Sequence, residues 1–246
     1  ALAARRTAPP QRREAPLPPP VPGGRGPGQP SLTVSLSRGE QLTAALTALS
    51  PALIYLPAER IEEFDLTPRG DAAVPLCVSL PRICKDSELP DLQRLLEIAR
   101  EKGCRSAAVQ NIGQLELVER LGFSPRGDYG LNLFNSRSLA EAARWGLESA
   151  TVSFELRQEQ VRDLAKMLPC EAIVYGHLPL MVTENCLTAN SLGCASRNLQ
   201  GTCRGPHALT DRRGERFPVL PVFGCRSEIE TVSYTHLRAH ETVLDL

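Results

Sequence analysis

The sequence predicts an α/β fold, an incomplete (β/α) TIM-like barrel, and three observations carry that expectation. Short apolar, β-branched runs alternate with helical stretches along most of the chain. The units recur every roughly 20 to 30 residues, the rhythm of parallel strands joined by right-handed crossovers. No Gly-rich dinucleotide loop marks a doubly wound sheet instead. About seven of the eight strands of a closed barrel are legible.

The expected strands are Leu32–Leu36, Ala52–Leu56, Val74–Leu80, Ser106–Gln110, Leu131–Phe134, Ala150–Phe154 and Glu171–Tyr175. Between them the helical spacing of apolar residues predicts helices over Glu40–Leu49, Leu89–Lys102, Gln114–Leu121, Ser138–Trp145 and Arg157–Met167. Ser138 with Glu141 three residues on has the pattern of a capping box. Gly103, Gly122 and Gly146 stand where a helix end favours a left-handed residue. After the seventh strand comes a cysteine-rich stretch with abundant Gly, Asn and Arg, expected as loops.

At 246 residues the chain is long enough for one barrel-sized domain. Its formal net charge is zero, so no global field argues for nucleic acid or an anionic surface. No apolar run approaches membrane-spanning length. Residues 1–30 hold nine Pro, four Gly and five Arg against one acid, Glu14, and are expected as a disordered linker that cannot bury enough apolar surface to order itself. The chain starts at Ala1, which suggests an upstream domain of the same chain. No apolar segment follows the arginines as in a signal peptide. Residues 231–246 resemble translated sequencing-adaptor DNA and are expected as a non-native tail. That leaves 31–230 for the barrel, without its closing strand.

Cys77, Cys84, Cys104 and Cys170 sit in or beside expected strands and helices, where small buried hydrophobes are the simplest reading. Cys186, Cys194, Cys203 and Cys225 all follow the seventh strand, with 7, 8 and 21 residues between them. Disulfides would need an oxidising compartment. Structural zinc could take four thiolates, yet its usual close C-x-x-C pairs are absent. An iron–sulfur cluster accepts wide spacing on a folded scaffold. Spacing alone leaves cluster and zinc level.

Several phrases, in order, resemble the collagenase-like peptidase family U32. They are "SLPRI" (79–83), "VQNIGQLEL" (109–117), "GDYGLNLFNS" (127–136), "VSFEL" (152–156), "EAIVYGHLPLMVTENC" (171–186), "LTDRRGERFPV" (209–219) and "CRSEI" (225–229). The likeness runs from about Ser31 to about Glu230 and is greatest to the C-terminal barrel of two-barrel members. The resemblance implies a barrel and a bacterial, cytoplasmic enzyme. Some relatives hold a 4Fe–4S cluster on four cysteines and take part in oxygen-independent hydroxylation of RNA bases or of the ubiquinone ring. The matching positions here are Cys186, Cys194, Cys203 and Cys225, with zinc as the alternative. The family name also implies proteolysis, and a non-catalytic barrel docking RNA or a partner subunit is a third expectation.

Support for proteolysis in the residues is thin: no G-x-S-x-G elbow and no H-E-x-x-H helix occur. A Cys186–His177 pair could serve as nucleophile and base, but His177 stands where the family pattern "YGRLPLM" has Arg. Among carboxylates, Glu155 at the end of the sixth strand and Glu171 at the seventh are the catalytic candidates, because barrel chemistry collects at strand ends. Asp128, Tyr129, Asn132 and Asn135 suit either a polar substrate or loop hydrogen bonds. Asp211 with Arg212 suits a turn with a local ion pair.

Overall fold

The computed structural model describes residues 19, 21, 29–66, 74–194, 203, 207–232 and 235–236. Most of the Pro/Arg-rich segment, and the tail beyond residue 236, lie outside the described residues.

Seven parallel strands form one sheet in chain order: β1 (Thr33–Ser35), β2 (Leu53–Pro57), β3 (Leu76–Ser79), β4 (Ser106–Val109), β5 (Ser124–Gly127), β6 (Ala150–Thr151) and β7 (Cys170–Glu171). Each pairs in parallel with its neighbour, so the sheet curls as an incomplete TIM-like barrel. All four residues of β4 are buried, the near-continuous burial of a strand covered on both faces. The helices are α1 (Ala44–Ala48), α2 (Leu89–Glu101), α3 (Leu115–Arg120), α4 (Ser136–Arg144), α5 (Gln158–Asp163) and α6 (Leu187–Leu192). In α2, Leu92, Leu95, Leu96 and Ala99 lie on one stripe and are buried against the sheet. Gly103, Gly122 and Gly146 follow α2, α3 and α4 with φ of 98°, 78° and 78°, as the sequence predicts.

Several expectations are corrected. The fifth strand is Ser124–Gly127 rather than Leu131–Phe134. Pro125 hides it from propensity, while Asn132 at φ 48° breaks the alternating segment, leaving one bridge, Leu133 to Val152. The cap of α4 is Asn135, whose side chain accepts from the N–H groups of Arg137 and Ser138, so Ser138 lies at the third helical position. The helix expected over Glu40–Leu49 splits, because Thr43 caps a separate short helix by accepting from Leu46 N–H. The helix expected over Arg157–Met167 stops at Asp163.

The stretch beyond β7, expected as loops, carries further strands. They are β8 (Tyr175–Gly176), β9 (Pro179–Thr183), β10 (His207–Thr210), β11 (Arg216–Val222), β12 (Arg226–Glu230) and β13 (Thr235–His236). Four of these build an antiparallel sheet in the order β10-β11-β12-β9, and β13 pairs with β8. The last expected strand of the barrel thus ends at Glu171, and Tyr175 belongs to a different sheet. Between the curled sheet and the antiparallel one lies a cleft of about 1100 Å³. No helix among the described residues is long and apolar enough to cross a membrane.

Candidate functional site

Strand ends and their following loops build one wall of the cleft: Thr33, Tyr55, Ser79, Arg82, Gln110, Asp128, Tyr129 and Glu171. The opposite wall comes from β12. Successive side chains of a strand alternate faces, so Arg226, Glu228 and Glu230 point to the cleft while Ser227 and Ile229 are buried behind.

Glu171 is the hub of the barrel wall. Its carboxylate accepts from Thr33 Oγ1 (3.0 Å), Tyr55 OH (2.7 Å), Arg126 Nη2 (3.0 Å) and Ser149 Oγ (3.3 Å). These donors come from β1, β2, β5 and the residue before β6, so one carboxylate joins both margins of the sheet. Burial, then the Glu171 charge, pushes the Tyr55 phenol far above its ordinary range. Glu155, the other candidate carboxylate, is exposed and does not line this cleft.

Asp128 accepts from Ser79 Oγ (3.2 Å) and from Tyr129 N–H (2.7 Å). Burial outweighs those bonds and pushes its carboxyl up to about 6. Glu228, facing Arg82, Glu230, Glu59 and Asp128, is pushed up to about 7, again mainly by burial. Arg82 lies 5.6 Å from the centre of the Tyr129 ring, whose other neighbour is Phe154 at 5.8 Å. Asn132 and Asn135, by contrast, shape loops: one takes the left-handed turn and the other caps α4.

Both raised carboxyls bind protons on folding, so the stability withheld while they are charged returns as pH falls. The unfolding midpoint is therefore expected to rise between pH 8 and pH 6, through the values near 7 and 6. Glu228→Gln should flatten that rise. A thermal melt that is flat in the wild type over this window refutes the assignment.

Beside the cleft a buried cation ties three segments together. Arg226 is 1% exposed. It donates from Nε to Glu184 (2.7 Å), from Nη2 to Glu88 (3.1 Å) and from Nη1 to the Phe223 carbonyl (3.1 Å). Burial pulls the guanidinium down, and its hydrogen bonds to Glu184 and Glu88 more than offset it. Glu184 also takes Lys85 Nζ at 2.7 Å. Gly224 has φ 72°, and a Cβ there would collide with the Arg226 guanidinium and the Glu88 carboxylate. Only glycine meets both demands.

This clamp joins segments that carry cysteines: Glu184 precedes Cys186 by two residues, Arg226 follows Cys225, and Lys85 follows Cys84. Cys186 caps α6, its Sγ accepting from Ala189 N–H at 3.4 Å, and Leu187 N–H donates to Ser227 Oγ on β12. Cys225 holds a left-handed φ of 57°. Cys203 is buried, and burial raises its thiol, with further contributions from Cys186, Cys194 and Cys225 and a hydrogen bond with Cys194. The other three candidate thiols thus act electrostatically on Cys203. Among the described residues no three His, Cys, Asp or Glu side chains are grouped to hold a single metal ion. Zinc needs such crowding, since Zn–S bonds of about 2.3 Å draw the sulfurs together. Of the other cysteines, expected as small buried hydrophobes, Cys77 and Cys104 are buried, whereas Cys84 and Cys170 are only partly buried against the core. Burial raises the thiols of Cys77, Cys84, Cys104 and Cys170.

His177 lines the cleft, and its Nδ1 donates to the Thr231 carbonyl at 2.7 Å. Asp211 makes its turn by accepting from Arg213 and Glu215 N–H groups, where an ion pair with Arg212 was expected.

The sequence reading passed over Arg226, Glu228, Glu184 and Gln110. A signal existed for two of them: Arg226 and Glu228 in "CRSEI" share one face of a strand, but the strand itself was expected as loop.

No curated protein matches the sequence. Among solved structures, the U32 peptidase Mk0906 is similar at 12% identity, covering 64% of this chain and 74% of that chain with a TM-score of 0.46. The 3-dehydroquinate dehydratase from Geobacillus kaustophilus HTA426 is similar at 13% identity over 60% and 75%, with a TM-score of 0.36. The family model for peptidase family U32 matches residues 66–213, more than half of the chain and most of the curled sheet. The chain therefore belongs to peptidase family U32.

Proposed function

We propose that this chain is an iron–sulfur enzyme domain in which Cys186, Cys194, Cys203 and Cys225 hold a 4Fe–4S cluster. Its task is the hydroxylation or other modification of RNA bases or of a ring substrate. What supports this reading is that the Arg226 clamp ties the strand after Cys225 to the segment leading to Cys186, with Cys203 under the electrostatic influence of the other three cysteines. An iron–sulfur cluster accepts such wide sequence spacing on a folded scaffold, and zinc, whose usual close C-x-x-C pairs are absent, is the alternative. Such a cluster supplies single electrons at a potential set by its surroundings. The chain's own contribution is positional. The Arg226 clamp fixes Cys225 against the segment bearing Cys186. Glu171 anchors the cleft wall, whereas Glu155, expected at the end of the sixth strand, lies in an exposed turn four residues beyond β6.

Anaerobic purification followed by iron and sulfide analysis tests this. Iron and acid-labile sulfide in equal amounts, lost in Cys203→Ser, are the expected result. Zinc without sulfide would favour the alternative, and a metal-free protein overturns the reading. The collagenase-like peptidase reading instead requires gelatin digestion that survives Cys186→Ala and chelation. Retention of RNA or a partner subunit by a metal-free, inactive barrel would favour the docking role.

A further inference from the structure

Three arginines recur at one position of the fold. Arg38, Arg60 and Arg82 each stand three residues past the end of a strand, after β1, β2 and β3 in turn. These strands are parallel neighbours, so their loops leave the same end of the sheet side by side. Neighbouring strands lie about 4.8 Å apart, so the three arginines spring from points spread over about 10 Å. This is the carboxyl end of the strands, where α/β barrels collect their chemistry. All three arginines are half-buried and line the cleft.

Arg60 is held by Glu63 at 3.3 Å. The guanidinium groups of Arg38 and Arg82 make no hydrogen bond or ion pair among the described residues. At Arg38 it is the backbone N–H that Gln41 engages, at 2.8 Å. Arg82 is set over the Tyr129 ring, 5.6 Å from its centre, and Phe154 packs on that ring. A ring contact steadies a guanidinium without using any of its N–H donors. Arg82 thus borders the cleft with its donors unspent.

The cleft also holds carboxyls, and they do not cancel the row. Glu171 is taken by Arg126, and Glu40 is exposed. Burial pushes Glu59 and Glu230 up, Asp128 up to about 6 and Glu228 up to about 7, all towards the neutral form. Asp128 and Glu228 feel the charge of Arg82, but neither bonds it. A guanidinium, by contrast, keeps its charge throughout the physiological range.

We propose that Arg38 and Arg82, with Arg60 between them, bind a phosphate group carried by the substrate. A tetrahedral phosphate directs oxygens to several sides and can meet arginines from different loops, whereas a planar carboxylate is matched by one fork. The inference rests on the cleft being where the substrate sits, not on the cluster, since none of the cysteines lines it. Iron analysis and the test of this site can therefore fail separately.

The test is calorimetric titration of the whole chain with inorganic phosphate, uridine 5′-monophosphate and single-stranded hexauridylate, with uridine as the uncharged control. Saturable binding of a phosphate probe is expected, with uridine silent. Binding of the two small probes would mark a terminal phosphate as the group recognised, and binding of hexauridylate alone a phosphodiester strand; either supports the site. Arg82→Gln and Arg38→Gln should each weaken binding about tenfold, the effect of one charge-assisted contact. Arg144→Gln, at the exposed end of α4, should leave it unchanged. Circular dichroism checks that each variant is folded, and Arg38→Gln decides alone if Arg82→Gln is not. No saturable binding of any phosphate probe, uridine binding as tightly as its phosphate, or affinity unchanged in the folded variants would overturn the proposal.

Discussion

Arg226→Met is expected to destabilise the protein by about 3 kcal/mol, the low end of the range for removing one partner of a buried ion pair. The low end applies because Glu184 is half exposed and can regain water, whereas Glu88 and the Phe223 carbonyl lose a donor in a drier place. For a chain of this size that is a drop of roughly 6–12 °C in melting temperature. Lys85→Ala is the control. Its pair with Glu184 is more than half exposed on both sides, so its loss should cost no more than about 1 kcal/mol. Circular dichroism melts of the two variants decide the matter, and equal midpoints would show that the clamp contributes no more than a surface pair.

Glu171→Ala is expected to cost about 3 kcal/mol as well, by a different route. Four donors lose their common acceptor at once. Arg126 suffers most, since its Nε already lacks a partner and its remaining pair, with Glu148, is long at 3.5 Å. Glu171→Gln keeps an acceptor in the same place and should lose less than half as much. If Gln is as damaging as Ala in urea unfolding, shape and hydrogen bonding are not what Glu171 supplies, and its charge alone matters.

The curled sheet was legible because its strands follow one another in space as in sequence, and because fully covered strands leave continuous apolar runs such as Leu53–Pro57. The misplaced fifth strand shows the limit. Ser-Pro-Arg-Gly has almost no strand propensity and pairs because its neighbours on either side leave a slot to fill. The antiparallel sheet escaped for a related reason. Arg226-Ser227-Glu228-Ile229-Glu230 alternates with period two, but its cleft face is charged, so the pattern resembles an exposed loop. At the site, the residue types that carry chemistry on sight, the cysteines and Glu171, were visible. Gln110 and Arg226 were not, because their importance arises from burial and from partners more than a hundred residues away for Arg226.

The strand Arg226–Glu230 is a single backbone with two clients. One side presents Arg226, Glu228 and Glu230 to the open compartment, and the other gives Ser227 to the turn of chain that begins at Cys186. A slip of one residue would exchange the two sets wholesale. One register therefore decides both which charges meet the open compartment and whether Ser227 holds the chain that begins at Cys186.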